Sequence, residues 1–330
     1  MDVVKYDGTG ATQTISGLNF SPDFVWLKRR DSADSHQLFD IIRGATNFLG
    51  SDTTNAEQTL ATLLTSFNSD GFSIGSYYPS SSTFAAFCWD AGSSTVTNTA
   101  GSISSQVRAN ASAGFSVVTY TGNGTAGATI GHGLGVAPEM IIVKCRNVAR
   151  NWTVGHQGIA SDPWTDYLML NSTAAAGDLN TVWNDTAPSS TVFTVGTSNG
   201  VNANTETHVA YCFAPVAGYS SFGSYTGNGS ADGPFVFCNF RPRWIMLKKT
   251  DTVSDWWIYD TARQDYNVMG PILYPNSSSA EFATDASIFG RDLLSNGFKV
   301  RNANITVNGN GSTYIYATFA EHPFAYSRAR

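Results

Sequence analysis

The chain has 330 residues with 19 basic and 25 acidic side chains, and charged residues make up only 13% of it, about half of the ~25% usual in globular domains. Ser, Thr and Asn together supply 95 residues, so the exterior is expected to be hydroxyl and amide rather than ionic. A content of 42% hydrophobic and 13% aromatic residues argues against disorder, and a net charge of −6 with six lysines argues against the basic footprint that nucleic acid requires.

The opening Met1-Asp2-Val3-Val4-Lys5-Tyr6 has no basic region followed by an apolar one, so no signal peptide is expected. No stretch approaches the ~18 apolar residues of a membrane-spanning helix. The four cysteines, Cys88, Cys145, Cys212 and Cys238, form no CxxC and have no histidine at ligand spacing. We therefore expect no metal, no cofactor, and free thiols made in a reducing compartment.

In chain order, one unit recurs. Tyr6-Asp7-Gly8-Thr9-Gly10 returns as Tyr120-Thr121-Gly122-Asn123-Gly124 and as Tyr225-Thr226-Gly227-Asn228-Gly229, at spacings of 114 and 105 residues. These are domain lengths, well beyond the ~20–50 residues of a solenoid repeat. A proline-led apolar strand follows each time: Pro22 to Lys28, Pro138 to Lys144 and Pro242 to Lys248. The closing lysine is expected to return the chain to solvent. Then come His36-x3-Asp40, Trp152-x3-His156 and Trp256-x3-Asp260, with Arg43 and Arg263 three residues later in the first and third copies. An Asx- and Ser/Thr-rich turn follows, and an aromatic strand closes each copy.

Short β-branched and aromatic runs separated by Gly, Asn and Ser predict strands throughout, with Asn55–Thr65 the one helix-like stretch. The expected fold is all-β: three tandem homologous β-sandwich (jelly-roll-like) domains over residues 1–113, 114–218 and 219–330, each burying its own core. Ala91–Ala113 and Pro215–Ser221 read as linkers.

Chemistry has few candidates. A glycosidase needs two carboxylates facing one sugar bond, and the equivalent pairs Asp40 with Glu57 and Asp260 with Glu281 are the only ones repeated; beside turn motifs, such acids more often cap backbone amides. No nucleophile elbow, P-loop or triad spacing is present, so no catalytic residue is assigned. Trp26, Trp89 and Trp244 lie inside strands and should be core. Trp152, Trp164, Trp183 and Trp256 lie beside polar Asn- or Asp-bearing segments, as do His156, Asp260 and Arg263. Aromatic faces flanked by such groups bind sugars, so these seven are the candidate ligand-binding residues.

The run Gly114-Phe115-Ser116, Thr119-Tyr120-Thr121-Gly122-Asn123-Gly124, Gly131-His132-Gly133-Leu134-Gly135 and Ala137-Pro138-Glu139-Met140-Ile141-Ile142-Val143-Lys144 resembles a repeat of tailed-phage virion proteins. So do Arg241-Pro242-Arg243-Trp244-Ile245-Met246-Leu247-Lys248, Leu294-Ser295-Asn296-Gly297-Phe298-Lys299 and Tyr314 through Glu321. The resemblance extends over the whole chain and is weakest in the first copy. It implies a non-enzymatic virion component, a tail fibre or receptor-binding protein that is assembled in the host cytoplasm. Its partners would be other virion proteins, a host cell-surface glycan, and two further copies in a homotrimer. A capsid or tail decoration protein is the alternative, and a polysaccharide depolymerase a third.

Overall fold

The computed structural model describes residues 1–159, 164–282 and 289–322. The fold is an all-β sandwich architecture in which the described strand ladders are antiparallel, with one isolated parallel bridge between Ile103 and Ile130, and one sheet order recurs three times. Strands Asp2–Asp7, Thr83–Trp89, Phe24–Arg29 and Gln37–Asp40 lie side by side in that order. The same order holds for Phe115–Thr121, Thr207–Phe213, Met140–Cys145 and Thr153–His156, and for Ser220–Thr226, Thr313–Ala320, Pro242–Lys249 and Trp256–Asp260. A smaller sheet faces each large one, centred on Gly71–Ile74, Val192–Val195 and Gly297–Val300.

The proline-led strands explain how these layers are glued. Side chains alternate across a strand, yet Phe24-Val25-Trp26-Leu27 is buried throughout. Val25 and Leu27 face the small sheet of their own copy, in a cluster with Phe39, Phe72 and Phe84. Phe24 and Trp26 face the other way, into one large cluster drawn from all three copies. Met140 and Ile142 against Ile141 and Val143 divide in the same way, as do Trp244 and Met246 against Ile245 and Leu247. A strand buried on both faces is a continuous apolar run rather than an alternating one, which is what FVWL, MIIV and WIML are.

Each copy has an apolar cluster of its own between its two sheets, and in addition the three large sheets share a second core. At its centre the equivalent residues Trp89, Phe213 and Phe319 form a triangle with ring centroids 6.2, 6.1 and 5.6 Å apart. Trp244 stands edge-on to Trp89 at 5.5 Å. The cavity there is only about 10 Å³ and wholly apolar in its lining, at the lower limit for one water. The copies form a closed, threefold ring around this core.

The repeated Tyr-x-Gly-x-Gly turn has a definite task in the second and third copies. Tyr120 and Tyr225 donate their hydroxyls to Val201 O and Val307 O of a short helix, at 2.6 and 2.8 Å. Buried Asn202 and Asn308 from the same helices accept from the Asn123 and Asn228 amides at 2.9 and 2.8 Å. A Cβ on Gly122 or Gly227 would stand 2.3 or 2.2 Å from a backbone oxygen of that segment, so only glycine fits.

Two expectations change. Asn55–Thr65 is not helical: it holds the short strand Gln58–Thr59, a turn over 61–63 and the start of strand Leu64–Asn68, and its Glu57 amide donates to Arg146 O in the second copy at 2.7 Å. Its leucines serve the small sheet instead, with Leu63 and Leu64 in the first copy's core. The segment Ala91–Ala113 is not merely a linker. Within it, Thr95–Asn98 and Ser105–Asn110 form a hairpin that extends the second large sheet beyond Phe115–Thr121.

Because one face of each large sheet is covered only by the other copies, residues 114–218 expressed alone should lack a cooperative thermal transition. The full chain should unfold in a single calorimetric step, and separate transitions for the three copies would contradict the shared core.

Candidate functional site

The seven candidate binding residues do not form a surface. Trp152, His156, Trp164, Trp183, Trp256 and Asp260 are all buried, as is the Arg263 side chain. No indole among them offers a face to a sugar, so the expectation of a glycan platform at these residues is corrected. Trp164 and Trp183 pack edge-on at 5.5 Å inside the second sandwich, against Gly155, where a Cβ would meet the Trp164 ring at 2.4 Å. The others lie where neighbouring copies meet. Trp26, Trp89 and Trp244 are core, as expected.

Three seams join the copies, and equivalent residues build each one. Trp152 Nε1 donates to Gly50 O of the first copy at 2.7 Å, and Trp256 Nε1 donates to Met169 O of the second at 3.0 Å. At the third seam His36 takes the indole's place, beside the Tyr274 backbone, with Trp26 Nε1 donating to its Nδ1 at 2.8 Å. An Asx side chain fixes each of these residues: Asp52, Asn171 and Asn276 accept from the amides of His36, Trp152 and Trp256 at 3.1, 2.8 and 2.8 Å.

The strand-ending lysines correct a second expectation. Lys28, Lys144 and Lys248 are fully buried rather than solvated. Each reaches a backbone carbonyl of the preceding copy in the ring: Lys28 Nζ to Ser278 O at 3.1 Å, Lys144 Nζ to Thr54 O at 2.7 Å, and Lys248 Nζ to Thr173 O at 3.3 Å. Each also donates to carbonyls of its own copy, including Asp34 O and Lys249 O at 2.7 Å. The same three carbonyls accept backbone amides from Asp34, Arg150 and Ser254. Burial pushes all three ammonium groups down to about 8.

The paired carboxylates lie at two of the seams. Arg43 joins Asp40 and Glu57, with its Nη1 2.9 Å from Glu57, and Arg146 of the second copy closes on Glu57 at 2.8 Å. Tyr211 of the second copy donates to Asp40 Oδ2 at 2.9 Å. Arg263 likewise joins Asp260 and Glu281, and Arg30 of the first copy grips Glu281 at 2.8 and 2.9 Å. Burial alone would raise Glu57 and Glu281, but the flanking guanidinium groups hold both below the ordinary carboxylate range. Each carboxylate pair is therefore bridged by one arginine, with oxygens already engaged. That arrangement locks a seam; it does not present an acid and a base to one substrate bond.

At the remaining seam the sequence has His156, Ile159, Ala176 and Thr250 in these positions. The ion pairs are replaced by a contact of His156 Nε2 with Tyr316 O at 3.1 Å and by Ile159 in the shared core. Burial lowers His156 to about 4. Among the remaining histidines, His132 is buried with Nε2 3.1 Å from Ser189 O. All four cysteines are free and buried.

A family model described as a domain of unknown function, DUF7483, matches residues 1–323, all three copies as one unit. The chain belongs to the DUF7483 family. No curated protein and no solved structure matches it. Within this DUF7483 domain, five of the seven candidate binding residues, Trp152, His156, Trp256, Asp260 and Arg263, lie where the copies join. The lysines were the residues missed, and their one visible signal was recurrence at the end of the most apolar strand of each copy.

Replacing Arg263 by Met leaves Asp260 and Glu281 buried without their shared partner, and should cost about 3–5 kcal/mol in urea unfolding. A change below ~1 kcal/mol would show that the pair is dispensable. Lys144→Met strands Arg150 O and leaves Thr54 O with the Arg150 amide alone, and should cost roughly 1–3 kcal/mol. For His156 the unfolded chain takes a proton near 6.5 and the folded chain only near 4. Its contribution is complete above pH 6.5 and is lost as pH falls toward 4. His156→Gln, which keeps a donor for Tyr316 O, should flatten that acid slope by up to about one proton, and an unchanged slope would assign the acid sensitivity elsewhere.

Proposed function

We propose that this DUF7483 protein is a non-enzymatic virion structural protein of a tailed phage, placed at a fibre or receptor-binding position. There it contacts neighbouring virion proteins or host-surface glycans. The observation that carries this reading is the closed threefold ring: one chain offers three related exteriors around one axis, a match for a partner of threefold symmetry. The charge-poor, Ser-, Thr- and Asn-rich composition and the resemblance to phage virion repeats support it. Asp260 and Glu281, the acids a depolymerase would use, are engaged by Arg263 and Arg30, which favours the non-enzymatic reading.

With the indoles buried, glycan contact passes to the exposed aromatics Tyr77, Tyr266, Phe235 and Phe237. The apolar faces of the large sheets are already covered within the chain, so a homotrimer would assemble through the exterior. Purified protein should compete with phage for adsorption to host cells, and Tyr77→Ala with Tyr266→Ala should weaken that competition. Label on the fibre tip in particle images supports this reading. Label on capsomers, without competition, gives the decoration alternative. Light scattering at three times 35.3 kDa would establish the trimer, and a monomer would remove it.

A further inference from the structure

Besides the seam at His156 and Ile159, the second copy departs from the other two at a further place. Opposite each other across the central strands stand Arg29 and Phe84 in the first copy, Cys145 and His208 in the second, and Lys249 and Tyr314 in the third. Two residues before the second member of each pair are Ser82, Glu206 and Ser312. The first and third copies thus carry a cation here, Arg29 beside Asp31 at 2.9 Å and Lys249 over the Tyr314 ring at 6.0 Å. The second copy replaces the cation by a thiol and adds a carboxylate and an imidazole.

We propose that Cys145, Glu206 and His208 form a zinc site, the metal ion supplying the positive charge that Arg29 and Lys249 supply in the sibling copies. One ligand atom from each residue lies within 4.8 Å of the other two, the one such group among the described residues. Cys145 Sγ is 3.2 Å from Glu206 Oε2 and 3.5 Å from Asn147 Oδ1, a further oxygen donor at the rim. Cys145 and His208 are fully buried, and the Glu206 side chain is partly exposed.

The outer contacts suit a metal site, because ligands there are usually oriented by second partners. Arg150 holds Glu206 through two hydrogen bonds of 2.8 and 2.5 Å. The His208 ring stacks on Tyr120 at 5.2 Å, and its Nδ1 lies 3.1 Å from Glu206 O. With Nδ1–H donating there, buried Nε2 is the ring's acceptor nitrogen, and the Asn199 backbone lies beside the ring. Thiolate, imidazole and carboxylate together favour zinc over magnesium or calcium. Binding breaks the Cys145 S–H bond, forms a zinc–sulfur bond and releases the proton to solvent; nothing is oxidised or reduced.

The test uses the full chain, stripped with a chelator and dialysed against micromolar free zinc. About one zinc per chain should be retained, with a raised Tm that the chelator reverses. Cobalt in its place should show a thiolate-to-metal absorption band. Cys145→Ser should abolish the band, and His208→Tyr, which installs the third copy's residue, should weaken zinc binding at least ~10-fold. Cys238→Ser should change neither. Cys145→Lys, restoring the cation of the sibling copies, should fold with an unchanged circular dichroism spectrum and bind no metal. A full chain that retains no zinc overturns the proposal, and so does retention that is equal in Cys145→Ser and His208→Tyr.

Discussion

Everything in this fold depends on burying both faces of three sheets at once. A sandwich ordinarily covers one face of each sheet and leaves the other to water. Here the outer faces of three large sheets turn toward one another and meet in the aromatic triangle of Trp89, Phe213 and Phe319. Packing of this kind is sensitive to single methylenes, so the copies are tied into one cooperative body even though each retains a sandwich core of its own.

Around that apolar centre the seams are polar, and they are alike in backbone and unlike in side chains. Each has a buried lysine directed at the preceding copy and a pair of main-chain hydrogen bonds, one donated in each direction across the seam. The ion-pair clusters appear twice and are replaced once by His156 and Ile159. Buried ion pairs contribute little net stability compared with well-packed apolar groups, which is consistent with one seam doing without them. They discriminate between partners instead: Glu57 and Glu281 each require an arginine from one particular neighbour, and this helps fix the order of copies around the ring.

Much of the architecture was legible in the sequence because strand runs and turn residues are local signals. The FVWL, MIIV and WIML strands and the Tyr-x-Gly-x-Gly turns lie where the patterns put them. What escaped was every property that depends on a second copy. Trp152 and Trp256 sit among Asn and Asp residues, and from sequence alone these polar neighbours resemble a sugar-binding surface. In space they are Asx side chains holding the amides of buried tryptophans. Lys28, Lys144 and Lys248 looked like the exit to solvent because a neighbouring copy covers each of them and supplies one of its carbonyl partners. Cys145 and His208 are far apart in sequence and opposite each other in register, a juxtaposition that no motif spacing encodes.

The ring is closed by covalent chain at two seams and by contacts alone at the third. Between the last copy and the first there are Arg30 with Glu281, Lys28 with Ser278, and Arg243 with Asp2, while the Met1 ammonium donates to Tyr219. Tension that draws the first and third copies apart therefore loads this seam directly, with no peptide bond in parallel except the long way round. It is the latch: the place where the ring would spring open first, held there by the Arg263, Asp260 and Glu281 cluster with Arg30.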